Sequence, residues 1–243
     1  MTVSGKLVGV GVGPGDPELI TIKAVRVLKQ ADLVAHFAKA AQRGNAWTIA
    51  ARYLKPAVRE LCLVFPVTTE LPRHEATYCD IIRGFYDTAA GEIAAHLDEG
   101  CLVAVVCEGD PLFYGSYMHL HVRLASRFRT EIVAGVSGMS GCWSAVGTPM
   151  AQGDDVFSVV PGTLAQDELE RRIIEADAVV LIKLGRHLPK VRRALERTGR
   201  LERAVYVERG TMTGEMAIPL AAKPDDCAPY FAVVLVPGWE RRI

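Results

Sequence analysis

Short apolar runs alternate along the first half of the chain with glycine-rich turns and with stretches whose apolar positions recur at helical spacing. Residues 6–12 form a β-branched apolar run, and Gly13-Pro14-Gly15-Asp16-Pro17-Glu18 breaks it. Asp16 is a good N-cap and Pro17 a good first helical residue, and Leu19, Ile22, Val25, Val27 and Leu28 then predict a helix over 17–30. A second strand is predicted over 31–37, a helix over 45–53 and a third strand over 58–65. A long amphipathic helix follows over 75–98, with Ile81, Ile82, Phe85, Tyr86, Ile93 and Leu97 on one broad face and Gly100 as its stop. The run Cys101-Leu102-Val103-Ala104-Val105-Val106-Cys107 has no polar alternation, as expected of a strand covered on both faces and therefore central in a parallel sheet. Glu108-Gly109-Asp110-Pro111 ends it as the first turn ended the first strand. A helix over 114–126 and a strand over 131–134 complete an α/β domain.

Beyond Gly135-Val136-Ser137-Gly138 the pattern changes. Helices are predicted near 138–146, 166–175 and 187–198, with strands over 157–160, 178–183, 204–208 and 231–236. This reads as a second α/β unit, with domains at 1–136 and 137–243. The fold class is α/β, a mostly parallel sheet in the first domain and a mixed sheet in the second.

The 28 basic residues balance the 28 acidic ones, so no overall field draws the chain to nucleic acid or to an anionic membrane, and any anion site must be local. Half the residues are hydrophobic and only 23% are charged, which excludes a disordered chain. The apolar runs fall far short of the roughly 20 residues that span a bilayer. No charged leader with a hydrophobic stretch opens the sequence, so no export signal is expected. The cysteines at 62, 79, 101, 107, 142 and 227 are irregularly spaced without a CxxC pair, as expected of reduced thiols in a cytoplasmic protein.

Gly9-x-Gly11-x-Gly13 follows a strand and precedes a helix, yet a dinucleotide fingerprint fails in register. Pro14 or Asp16 stands where the third glycine is needed, and an acidic cap repels a pyrophosphate. No GxxxxGK[ST] loop occurs. His119 and His121 point to different helix faces, and no metal-ligand constellation is found. What stands out is Gly-Asp-Pro at the carboxyl ends of two strands, 15–17 and 109–111, which together with 135–138 should cluster where open parallel sheets bind ligands. Such turns suit a polar, partly cationic ligand.

Three signatures in order, Gly11-Val12-Gly13-Pro14-Gly15-Asp16-Pro17, Glu108-Gly109-Asp110-Pro111-Leu112-Phe113-Tyr114-Gly115-Ser116 and Gly135-Val136-Ser137-Gly138-Met139-Ser140, make the chain resemble the tetrapyrrole methylases, the S-adenosylmethionine-dependent enzymes of cobalamin and siroheme synthesis. The likeness runs over essentially the whole chain, to Val234-Leu235-Val236-Pro237-Gly238-Trp239. It implies a homodimer of two-domain subunits, with S-adenosylmethionine held in the cleft between the domains and no metal. Carried over by position, Pro14, Glu108, Gly109, Asp110 and Phe113 would meet the methionine portion. Ser137 and Gly138 would complete the methionine and ribose contacts, and Leu184, Gly210 and Thr211 would hold the adenine. Relatives that make uroporphyrinogen-derived products often carry an aspartate near the end of the second strand. Here Phe37 stands there after His36, so no acid–base role transfers to that position.

The implied reaction is an in-line displacement at a sulfonium by an electron-rich ring carbon, in which the protein aligns the partners and a proton must leave. Candidate proton acceptors are Glu108, Tyr117 and Lys183, with Asp110 and Glu208 behind them. The implied substrate carries carboxylates around its rim, which calls for cations. Residues 186–203 are the most basic stretch, and Arg186 and His187, beside a strand end, are the expected substrate contacts. A protein that senses S-adenosylmethionine or a tetrapyrrole without turning it over is the competing reading from outside the enzymes, and methylation at another ring carbon the one within them.

Overall fold

The computed structural model describes residues 5–39, 42–67 and 76–238. Glu75 and Trp239, invoked above, lie outside them. The chain divides into two compact units, Met1–Ser137 and Gly138–Ile243.

In the first unit, β1 (Lys6–Gly11), β2 (Leu33–Lys39), β3 (Arg59–Phe65), β4 (Leu102–Cys107) and β5 (Arg129–Val133) form one sheet in the order β3-β2-β4-β1-β5, every pairing parallel. The unbroken apolar run of β4 is central, as its lack of alternation requires. On one face α3 (Ala76–Asp98) and α4 (Tyr117–Leu124) bury Tyr86, Ile93, Leu97, Tyr117 and Leu120 against Leu7, Val103 and Val105. On the other, α1 (Ile22–Gln30) and α2 (Asn45–Ala50) bury Leu28, Trp47 and Ile49 against Val8, Val10 and Val106. Each fully buried Leu or Val stabilises the fold by about 1.5–3 kcal/mol relative to an exposed one.

The helix predicted over 17–30 is two elements. Asp16 accepts from the Glu18 amide at 2.9 Å and caps only one 3₁₀ turn, Pro17–Leu19. Ile20 is then extended, and Thr21 caps α1 afresh, its Oγ1 accepting from the Ala24 amide at 3.1 Å. The helix predicted from 114 starts at Tyr117, because residues 111–116 form a turn in which Tyr114 has φ +53°.

The second unit contains α5 (Gly138–Ala145), β6 (Phe157–Pro161), α6 (Gln166–Glu175), β7 (Ala178–Ile182), α7 (Leu188–Arg197), β8 (Val205–Glu208), β9 (Met216–Pro219) and β10 (Ala232–Val236). Its sheet runs β6-β7-β10-β8-β9. Strand β10 is antiparallel to both β7 and β8, and β6 is parallel to β7. Strands β6, β7 and β8 therefore share a direction, and their carboxyl ends lie at one edge. The pattern predicted no β9, a short exposed edge strand paired only with β8. Helices α6 and α7 cover one face through Leu169, Ile173, Leu188, Val191 and Leu195, and α5 contributes Cys142 to the other.

Candidate functional site

At the carboxyl edge of the first sheet, the turns after β4, β1 and β5 are side by side and joined through their main chains. The Val12 amide donates to the Cys107 carbonyl at 2.9 Å, and the Gly109 amide donates to the Gly13 carbonyl at 2.8 Å. Asp110 ties two turns together, since Oδ1 accepts from the Leu112 amide at 2.9 Å and Oδ2 from the Gly135 amide at 3.2 Å. The approach is too close for any side chain at two positions. A Cβ on Gly11 would stand 2.6 Å from the Gly109 oxygen, and one on Gly135 only 2.1 Å from that oxygen. Here the glycines are required by contact between backbones rather than by turn propensity.

Pro14, Glu108, Gly109, Asp110, Phe113 and Ser137 all sit on these three turns. Gly138 opens α5 with open space where a Cβ would stand. Pro14 and Gly109 are buried and Asp110 half-buried, whereas Leu112, Phe113 and Tyr114 are exposed at the tip of the second turn, the two rings 4.9 Å apart and edge-on. Glu108 is half-buried, and desolvation pushes its carboxyl up to about 7, although a hydrogen bond from the Ala46 amide opposes the rise. It can take or release a proton near neutrality. Tyr117 has no exposed surface. Its ring packs where a Gly9 Cβ would come within 2.5 Å of it, its hydroxyl is 3.4 Å from His121 Nδ1, and burial raises its pKa. Placed so, Tyr117 packs against β1 at Gly9.

The second unit shapes its edge differently. Lys183 follows β7 with φ +57°, and Arg209 and Thr211 follow β8 with φ +52° and +68°. Non-glycine residues in this region are strained by about 1–2 kcal/mol each. The Arg209 amide bonds to the Phe231 carbonyl at 2.8 Å and the Thr211 amide to Glu215 Oε2 at 2.6 Å. Gly210 between them has no room for a Cβ, which would be 2.8 Å from Cys142 Sγ. Leu184 is buried in the α6–α7 core, and Lys183 and Arg186 are exposed. His187 is half-buried, its pKa lowered by desolvation and then by Lys190 and Arg186. Glu208 accepts from the Tyr206 hydroxyl at 2.9 Å.

The basic stretch over 186–203 is largely turned to internal use. Arg192 donates to the Leu220 carbonyl at 2.8 Å and to Asp226 Oδ1 at 2.9 Å. Arg197 pairs with Glu170 at 3.1 Å, Arg200 donates to the Ala176 carbonyl at 2.6 Å, and Lys190 bonds to the Leu164 carbonyl. Among the described residues no group of three or more His, Cys, Asp or Glu side chains is placed to hold a metal ion, and no helix is long and apolar enough to cross a membrane.

One further group lies on the α2 side of the first sheet. His36 is wholly buried, its Nε2 is 3.0 Å from Glu60 Oε1, and Arg43 grips Glu60 with two bonds of 3.2 and 2.7 Å. No sequence motif marks this trio, because its members come from separate elements.

The model of the tetrapyrrole (corrin/porphyrin) methylases matches residues 6–222. The chain is 57% identical over 98% of its length to a precorrin-2 C(20)-methyltransferase of Sinorhizobium sp., of which the match covers 97%. It is 48% identical to the cobalamin biosynthesis protein CobIJ of Mycobacterium tuberculosis, spanning 48% of that protein's length. It is 26% identical over 98% of its length to a cobalt-precorrin-2 C(20)-methyltransferase of Salmonella typhimurium, covering 99% of that protein. A solved cobalt precorrin-4 methyltransferase shares the fold, with TM-score 0.72 at 23% identity over 96% of this chain and 94% of the other. The chain belongs to the tetrapyrrole methylase family.

Proposed function

We propose that this tetrapyrrole methylase transfers a methyl group from S-adenosylmethionine to carbon 20 of precorrin-2, giving precorrin-3A in cobalamin biosynthesis. The observation that carries the reading is the 57% identity to the Sinorhizobium enzyme across nearly both whole lengths. The identity to a cobalt-precorrin-2 enzyme is less than half that, which favours the metal-free substrate. The resemblance also carries a homodimer. Six free thiols support a reducing, cytoplasmic setting.

The turns of the first unit fit a sulfonium-bearing amino acid. Residues 11–16, 107–116 and 134–138 contain no lysine or arginine, and they offer main-chain amides and carbonyls with the carboxylates of Glu108 and Asp110. Bound there, S-adenosylmethionine supplies a methyl group on a positively charged sulfur. Pro14, Glu108, Gly109, Asp110, Phe113, Ser137 and Gly138 hold its methionine and ribose, and Leu184, Gly210 and Thr211 its adenine. The chain's contribution is mainly alignment and exclusion of water, worth up to about 7–11 kcal/mol when the reacting atoms are well oriented. Glu108 takes the proton that the ring carbon loses, a role suited to a carboxyl held near 7. Exposed Arg186 and neighbouring His187 meet substrate carboxylates, and Lys183 stands beside them.

Incubation of the protein with S-adenosylmethionine and precorrin-2 should yield S-adenosylhomocysteine and a product heavier by one methyl replacing hydrogen, with a ¹³C-labelled methyl placed on carbon 20 by NMR. Binding of both ligands without turnover would make the chain a sensor, and a label on another carbon would reassign the position.

A further inference from the structure

Lys223 places a charge where the second unit has little water. Its side chain is only 5% exposed, with Nζ bonded to Asp225 Oδ1 at 2.7 Å and 4.9 Å from the centre of the Tyr206 ring. Tyr206 has no exposed surface, and its hydroxyl donates to Glu208 Oε2 at 2.9 Å. Burying an ammonium is costly even when it is paired, and an apolar side chain of similar size often serves stability as well. What the lysine adds is direction, since a cation over a tyrosine face fixes where the ring lies and hence where its hydroxyl points. The segment that carries Lys223 is itself held by Arg192 of α7, which donates to the carbonyls of Leu220, Lys223 and Asp225 and to Asp226 Oδ1. This polar line ends at the last residue of β8. Tyr206 and Glu208 are two residues apart and so share the α6–α7 face of the sheet, and Glu208 is followed directly by left-handed Arg209 and the pair Gly210–Thr211. Glu208 Oε1 is 4.0 Å from Arg209 Nε. From the opposite face Gly210 abuts α5, where a Cβ would stand 2.8 Å from Cys142 Sγ and 2.9 Å from its Cα. The turn is thus gripped on both sides of its sheet. A turn with two strained non-glycine residues keeps its shape only while its surroundings overdetermine it.

We propose that Tyr206 is a positioning residue for the nucleoside half of S-adenosylmethionine: it orients Glu208, and with it the start of the turn on which Gly210 and Thr211 meet the adenine, while Lys223 steadies the ring. The proposal rests on the methyltransferase reading above and on its assignment of the adenine to this turn. No bond breaks and no proton moves in this role. The line from Lys223 through Tyr206 to Glu208 keeps the turn in its binding shape beforehand, so that the ligand does not have to order it on arrival. Affinity for the nucleoside therefore depends on the line, whereas methyl transfer, which takes place at the sulfonium, does not.

The test is calorimetric affinity for S-adenosylhomocysteine and for 5′-methylthioadenosine, which keeps the nucleoside and lacks the amino acid, alongside steady-state kinetics with precorrin-2. Tyr206→Phe removes one oxygen and leaves the ring beside Lys223. It should weaken both ligands by the same factor, about 3–10-fold, the contribution of one hydrogen bond. KM for S-adenosylmethionine should rise in step, with kcat and the KM for precorrin-2 within about twofold of the wild type. Unchanged affinity in the folded variant overturns the proposal. So does a loss confined to S-adenosylhomocysteine, which would put the effect on the amino acid, and so does a loss that spreads to kcat, which would mark general disorder. Glu208→Ala cuts the same bond from its other end and decides the matter should Tyr206→Phe fail to fold. It should weaken both ligands at least as much, and Tyr206→Phe added to it should cost nothing further; unchanged affinity, or losses that add in free energy, would overturn the link through Glu208. A wild type that binds neither ligand would sink the methyltransferase reading and this proposal with it, whereas variants that keep the wild type's affinity sink the proposal alone.

Discussion

The two sheets build their carboxyl edges by opposite means. In the first unit the turns nest backbone against backbone, so that a Cβ on Gly135 would stand 2.1 Å from the Gly109 oxygen and one on Gly11 2.6 Å from it. In the second unit the turns are bent by residues that resist bending, Lys183, Arg209 and Thr211, all at positive φ. Glycine removes a steric obstacle and leaves main-chain groups close to a ligand. A strained lysine, arginine or threonine instead keeps a side chain at the turn, at an energetic cost that the surrounding hydrogen bonds must offset. The first arrangement suits a ligand held through main-chain groups, and the second presents side chains such as Lys183 and Thr211 at the same place as the bend.

The contrast can be broken from either side. Gly135→Ala should have the largest effect, because two main chains must part to admit a methyl group. Chemical denaturation should show a loss of about 3 kcal/mol or more, or no folded protein. A loss below about 1 kcal/mol would mean the turns are not in contact. Arg209→Gly should do the reverse on a smaller scale, relieving left-handed strain and changing stability by no more than about 1 kcal/mol in the favourable direction. A clear destabilisation in the same assay would show that the arginine side chain, rather than the backbone bend, is what holds the turn.

The same contrast decides what could be read in advance. Central β4 and the glycine turns were legible, because an apolar run without alternation and Gly-Asp-Pro at a strand end each have few structural solutions. The break at Ile20 was not, since Asp16 and Thr21 are both good caps and only the structure shows that each starts its own helix. Strand β9 was missed because it is exposed on the edge and ends in Pro219, so it lacks the apolar signal of its neighbours. The basic stretch over 186–203 read as a surface for anions, yet Arg192, Arg197 and Arg200 are engaged by Leu220, Asp226, Glu170 and Ala176 of the same unit. The burial of Tyr117, a candidate proton acceptor by its place near a strand end, was not legible either. The positive φ of Lys183, Arg209 and Thr211 has no residue-type signature, and His36 meets Glu60 through the pairing of β2 with β3 while Arg43 reaches Glu60 from the loop before α2. Neither could be seen along the chain.

The central claim is that the glycine turns of the first unit hold S-adenosylmethionine, and Gly109, at φ +64° with its amide on Gly13, is where that claim is most exposed. Titration calorimetry of S-adenosylmethionine against the wild type and Gly109→Val, with circular dichroism and a thermal transition confirming that the variant is folded, measures it directly. The account predicts at least about 100-fold weaker binding by the folded variant, equivalent to about 2.7 kcal/mol. Unchanged affinity in a folded Gly109→Val protein would contradict it.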